Sequence, residues 1–191
     1  KEFKETHPNI RIRIQNHLTS QAVESVKQGL VDFAVVASPA DIPAYLKVYS
    51  LMQFQDILIG GNSFSNLSYE SLSIKDIYSY PLVCLGERTM TYRFYDEFYR
   101  SNHLILKPEF EAATTDQILP MVKNNLGLGF FPEKMARQSL ASGEICQIHL
   151  HETIPYREIF LVENKERSLP IAAEALKEIL IQYSENSLLP G

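Results

Sequence analysis

The feature that most constrains this chain is the run Phe33-Ala34-Val35-Val36-Ala37, continuously apolar between Asp32 and Ser38-Pro39. An apolar strand without polar alternation is stable only when both of its faces are covered, which places it in a sheet flanked by helices. Pro81 to Gly86 and Leu128 to Pro132 have the same character. Between these runs the spacing turns helical. Val23 and Val26 precede Gly29, Phe94 with Phe98 and Tyr95 with Tyr99 stack within Met90 to Asn102, and Ile118, Leu119 and Val122 follow an N-cap at Thr114-Thr115-Asp116. Strand and helix signals therefore alternate, and the fold class is α/β.

Other segments complete this pattern. Lys1 to Thr6 reads as the end of a helix stopped by His7-Pro8, because proline disfavours helical geometry in the residue before it. Ile10-Arg11-Ile12-Arg13-Ile14 alternates with period two and predicts a strand with one covered face. Ser20 is read as the N-cap of the helix that Gly29 closes, and Pro120 is expected within the first turn or so of its own helix. Gln55 to Gly60, Glu109 to Ala112 and Glu158 to Val162 are further strands, and Ile171 to Tyr183 a closing helix. Ile10 to Ala37 and Phe110 to Phe131 share a strand-helix-strand grammar, which predicts two Rossmann-like lobes of about ninety residues each. If the chain crosses between them near Gly60 and Arg157, lobe one takes residues 1–59 and 157–191 and lobe two residues 60–156.

Composition narrows the function. Lysine and arginine number 18 against 23 aspartates and glutamates, a net charge of −5, and no basic arm is visible. Such a chain is not by itself a general nucleic-acid binder. No apolar run approaches the roughly 18 residues of a membrane span, and Lys1-Glu2-Phe3-Lys4-Glu5 lacks the apolar stretch of a signal peptide, so a cytoplasmic location is expected. Cys84 and Cys146 lie far apart in apolar segments and read as small core residues.

Catalytic chemistry finds no support in the spacing. His149-Leu150-His151 has neither a nearby cysteine nor paired carboxylates to complete a metal site. A GxSxG elbow is missing, and Gly127-Leu128-Gly129 closes a helix where a dinucleotide fingerprint would open one. No enzyme activity, metal or cofactor is expected. What remains are polar turns between strands and helices: Thr19-Ser20, Ser38, Gly86 to Thr89 with the cation Arg88, and Thr114-Thr115. Each residue singly is an ordinary helix cap. Converging on one cleft between the lobes, they would hold a small polar or anionic molecule without transforming it.

These segments together resemble the effector-binding domain of LysR-type transcriptional regulators, over essentially the whole chain. The likeness rests on Phe3 to Ile14 (FKETHPNIRIRI), Gly29 to Ala37 (GLVDFAVVA), Pro81 to Gly86, Gly127 to Pro132 (GLGFFP), Leu140 to Ile145 (LASGEI), Arg157 to Val162 and Ser168 to Leu180, in that order. The resemblance implies two lobes joined by two crossover strands, a periplasmic-binding-protein-like fold of type II, with a small-molecule inducer in the cleft. It also implies a homodimer or tetramer, and DNA contact only through a helix-turn-helix domain ahead of this one. On it, the candidate effector contacts are Thr19, Ser20, Ser38, Gly86, Arg88, Thr89, Thr114, Thr115 and Phe131.

The family's domain ordinarily starts with a further strand and helix ahead of the position of Lys1, so lobe one is expected to lack its usual first strand. The aromatic surface of Met90 to Asn102 exceeds what one lobe should bury, and self-association of this region with Lys1 to Ile14 of a second subunit is expected. Two other classes share the scaffold: a transporter's solute-binding protein, and an enzyme with an acid, base or nucleophile in the cleft.

Overall fold

A computed structural model describes residues 1–187. The chain divides into two compact units, 1–53 with 158–191 and 54–157. The divide falls at 53/54 and 157/158, where the loop chemistry alone suggests 59/60 and 156/157.

The first unit holds α1 (Glu2–Thr6), α2 (Thr19–Gln28), β1 (Phe33–Ala37), most of β2 (Leu46–Phe54), most of β8 (Arg157–Asn164) and α6 (Ile171–Ser187). Its sheet has the order β1-β8-β2, with β1 antiparallel to β8 and Phe33 opposite Glu163. Val23 and Val26 of α2 pack on Ala34, Val36, Leu46 and Val162, so one face of the apolar run at 33–37 is covered by the helix that precedes it. Val35 on the other face is 50% exposed, which corrects the expectation of two covered faces. That helix ends at Gly29 with φ +68°, a left-handed cap that favours glycine.

Two further local expectations for this unit are corrected. Residues 10–14 lie outside every sheet among the described residues, with Ile14 89% exposed. Period-two alternation stabilises a strand only beside a paired neighbour, and none is there. The first strand-helix-strand grammar is therefore realised only as helix and strand. Ser20 is not the N-cap of α2: the helix begins at Thr19, Leu18 takes the cap position, and Gln21 Oε1 accepts from the Leu18 backbone N–H at 3.3 Å.

The second unit contains β3 (Asp56–Gly61), a 3₁₀ turn (Asn62–Ser68), β4 (Leu82–Leu85), α3 (Met90–Ser101), β5 (Phe110–Ala112), α4 (Thr115–Lys123), β6 (Leu128–Pro132), α5 (Glu133–Ala141) and β7 (Ile145–Ile148). The sheet order is β5-β4-β6-β3-β7, with β4 parallel to β5 and β6, and β3 antiparallel to β6 and β7. The crossover β5-α4-β6 spans β4, as its strand-helix-strand grammar predicts.

Residue alternation sorts the two faces of this sheet. Leu58, Leu82, Cys84, Leu128 and Phe130 pack with Tyr95, Phe98 and Tyr99 of α3. Ile57, Ile59, Val83, Leu85 and Phe131 pack with Ile118 and Val122 of α4 and Ala136 of α5. The aromatic residues of α3 are thus absorbed by their own lobe: Tyr95, Phe98 and Tyr99 are all buried. Their abundance needs no second subunit, which removes the aromatic-surplus argument for self-association.

Two turn details follow from close packing. At Gly127 any Cβ would stand 2.5 Å from the Pro81 carbonyl oxygen, the same oxygen that accepts from Leu128 N–H at 2.8 Å, so only glycine lets β6 enter beside β4. Pro120 sits inside α4, a turn deeper than expected. The carbonyl it cannot serve belongs to Asp116, an exposed residue whose backbone water can reach.

Candidate functional site

The parallel strands β4 and β6 end on the same edge of the second unit, and there α3 and α4 begin. Carboxyl ends of strands beside helix N-termini are where α/β folds bind ligands. A partly open cavity of about 20 Å³ lies at this edge, and the residues that line it all belong to the second unit. Its walls include Asp56 at the start of β3, Thr91 and Tyr95 of α3, Thr115 of α4, Phe130 of β6 and Arg157.

Asp56 and Arg157 form its charged wall. They stand 101 residues apart in sequence, yet Arg157 Nη1 donates to Asp56 Oδ2 at 3.0 Å with both side chains buried. Tyr95 donates its hydroxyl to the same oxygen at 2.6 Å. Burial, then the neighbouring Asp56 charge, raises the Tyr95 pKa well above the ordinary phenol value, so the phenol remains a donor. Arg157 Nη2 donates to Thr91 Oγ1 at 2.9 Å, and its guanidinium lies 5.1 Å from the ring centres of Phe54 and Phe94. Asp56 Oδ1 has no hydrogen-bond partner among the described residues. Cys84 also lines the cavity, but burial pushes its thiol up to about 12, so at neutral pH it is protonated and a poor nucleophile.

The residues singled out in the sequence fall into four groups. Thr115 lines the cavity, and Thr114 is the N-cap of α4, where Gln117 Oε1 takes the Ala113 N–H at 2.8 Å. Gly86 and Thr89 form the turn into α3: the Thr89 hydroxyl donates to Gly86 O at 2.9 Å and accepts from Tyr92 N–H at 3.0 Å. Arg88 in that turn is exposed and contributes nothing to the cavity wall. The structure takes Phe131 away from the site. It is 1% exposed in the packing under α4 and α5, because strand side chains alternate faces and Phe130 is the ring that reaches the cavity.

Thr19, Ser20 and Ser38 belong to the first unit. Thr19 is half-buried and Ser20 exposed. Ser38 prolongs the β1-β8 ladder: its hydroxyl accepts from Glu158 N–H at 2.7 Å and its own N–H donates to Glu158 O at 2.7 Å.

Asp56, Thr91, Tyr95 and Arg157 were not among the sequence-derived candidates. The available signal was a charged residue at the mouth of an apolar strand, Asp56 before Ile57-Leu58-Ile59 and Arg157 before Ile159-Phe160-Leu161. No group of three or more His, Cys, Asp and Glu side chains able to hold a metal occurs among the described residues.

Comparison with known proteins decides the family. The LysR substrate binding domain model matches residues 1–185. The chain belongs to that family. It is 23% identical over 91% of its length to the uncharacterized HTH-type transcriptional regulator YwqM of Bacillus subtilis (strain 168), covering 59% of that protein. The chain spans under two thirds of the length of the curated relatives it matches.

Solved structures agree on the fold. The CcmR regulatory domain of Synechocystis PCC6803 in complex with 2-PG superposes with a TM-score of 0.83 at 12% identity, covering 97% of this chain and 88% of that one. The effector binding domain of QuiR in complex with shikimate gives 0.82 at 16% identity, covering 98% and 89%. The fold is the α/β, type II periplasmic-binding-protein-like fold of LysR regulatory domains, and the chain is an effector-binding domain of this class. The relatives are transcriptional regulators, so a transporter's solute-binding protein is not favoured. Among the described residues no helix is long and apolar enough to cross a membrane.

Proposed function

We propose that this LysR-family domain is the sensory part of a bacterial transcription factor, taking up a small polar or anionic effector at the helix-capped edge of the second unit. The observation that carries the reading is the cavity at the ends of β4 and β6, where hydroxyls at the starts of α3 and α4 meet a buried charged pair. The two units serve as regulatory subdomains I and II. Effector contacts in the second are Gly86, Thr89, Thr91, Thr114 and Thr115, with Arg88 at the exposed turn, while Thr19, Ser20 and Ser38 are the candidates in the first.

The complexes of CcmR with 2-PG and of QuiR with shikimate support a small metabolite as effector. No catalytic role is assigned: the cavity has a protonated thiol, a protonated phenol and a carboxylate already engaged by arginine, which is a set for binding. Effector occupancy would be read out by a helix-turn-helix domain of the same polypeptide, in a cytoplasmic homodimer or tetramer. DNA is reached only through that domain, and membranes are not involved.

A metabolite screen by thermal shift tests the reading. A compound bound to the native state raises the melting temperature by mass action, worth about 2.7 kcal/mol at a hundredfold excess over Kd. Thr115→Ala should weaken that compound by about 1–3 kcal/mol if the hydroxyl is a buried contact. Unchanged affinity in a folded Thr115→Ala protein would take Thr115 out of the site.

A further inference from the structure

We propose that Asp56 Oδ1 is a selectivity element of this cavity, accepting one hydrogen bond from a hydroxyl or amino group of the effector and from a water molecule when the effector is absent. The inference rests on the effector-site reading above and adds the chemistry that the effector must carry. Asp56 is 1% exposed, and its two oxygens are used unequally. Oδ2 receives both the Arg157 guanidinium and the Tyr95 hydroxyl, whereas Oδ1 receives nothing.

A buried carboxylate oxygen without a donor is costly, and native proteins rarely leave one so. The cavity that Asp56 lines, about 20 Å³, has room for a water or a hydroxyl. Tyr95 donates to Oδ2, Thr91 Oγ1 accepts from Arg157, and no donor among the described residues reaches Oδ1. Arg157 balances the Asp56 charge, so what Oδ1 lacks is a hydrogen-bond donor and not a countercharge. An effector that leaves Oδ1 bare forfeits the water and replaces it with nothing. Sites built around a substrate hydroxyl reject the analogue lacking it for the same reason.

The test uses the whole chain and matched probes: lactate against propionate, malate against succinate, and serine against alanine. Binding is followed by the backbone amide NMR shifts of Thr91 and Thr115 up to tens of millimolar. Alongside, a high-resolution crystal structure of the ligand-free protein is examined at Asp56. The expected result is an ordered water within hydrogen-bonding distance of Oδ1, and at least tenfold tighter binding of the hydroxylated member of whichever pairs bind. That preference should fall to threefold or less in a folded Asp56→Leu protein, which offers the hydroxyl neither acceptor nor donor.

A dry cavity overturns the proposal, as does equal affinity within every pair that binds, and either leaves the effector-site reading standing. Discrimination that persists in Asp56→Leu overturns it too. If that variant fails to fold, the wild-type preference and the water decide alone. Amide shifts that respond to none of the six probes overturn the effector-site reading of the cavity, and the inference falls with it.

Discussion

Replacing Arg157 by methionine tests the charged wall of the site most directly. Methionine keeps much of the apolar stem and can still contact the rings of Phe54 and Phe94, so the packing loss is small. What goes is the charge. Asp56, 1% exposed, would retain only the Tyr95 hydroxyl, and Thr91 would lose the Arg157 donor. Removing one partner of a buried ion pair costs about 3–5 kcal/mol because the other charge is stranded. Against a total stability of about 5–15 kcal/mol that is about a fifth or more, and at about 2–4 °C per kcal/mol for a chain of this size the melting temperature should fall by about 6–20 °C.

Urea denaturation followed by far-ultraviolet circular dichroism and tyrosine fluorescence measures the change; the chain has ten tyrosines and no tryptophan. The control is the triple variant Asp56→Leu, Tyr95→Phe, Arg157→Met, which removes the carboxylate, the phenol and the guanidinium together. It should recover to within about 2 kcal/mol of wild type, since apolar replacement of an entire buried pair is often neutral. An Arg157→Met protein within about 1 kcal/mol of wild type would refute the reasoning. So would a triple variant less stable than the single one, because the loss would then be packing and not a stranded charge.

Three further outcomes are expected. Glu163, buried beside Lys177 and Tyr49, has a carboxyl that burial pushes up but hydrogen bonds from Tyr49 and Lys177 hold below the ordinary value. Its stabilisation is therefore present above the unfolded pKa, about 4.3, and is lost as pH falls through the folded one. Glu163→Gln should accordingly flatten the acid limb of melting temperature against pH, and an unchanged limb would count against it. Burial raises Cys84 to about 12 from an ordinary value near 9, so its contribution to stability is intact below the unfolded pKa and fades as pH climbs between the two. Native alkylation at mildly alkaline pH, read by mass spectrometry, should mark half-exposed Cys146 before Cys84; equal rates would contradict the burial. Phe131→Ala should cost about 3–5 kcal/mol in urea denaturation as a core cavity, and a loss below about 1 kcal/mol would mean the ring is not packed as described.

Much of the fold was legible because local rules act on short windows. Continuous apolar runs at 82–85 and 128–131 are strands covered on both faces, the run at 33–37 is a strand with one face open at Val35, and Gly29 and Thr114 mark helix ends where their chemistry suits. Residues 10–14 show where those rules stop. Their alternation suits a strand, but a strand is made by its neighbour, and no window of sequence contains the neighbour. The aromatic helix α3 misleads in the opposite direction. Its rings look like surplus surface until the sheet beneath them is seen to be β4, β6 and β3, which bring Cys84, Phe130 and Leu58 to meet them.

The candidate site divides along the same line. Short-range chemistry sufficed for the α/β class, the family likeness and the polar turns before α3 and α4, since hydroxyls at helix starts are dictated by unsatisfied backbone N–H groups within a few residues. Only the tertiary structure decided which strand face each ring takes, so that Phe130 and not Phe131 reaches the cavity, and which cation is buried there, Arg157 and not Arg88. The reason is physical. A cap is a bond between near neighbours, whereas the Asp56–Arg157 pair joins residues 101 positions apart, and its strength exists only after folding has excluded water from both charges.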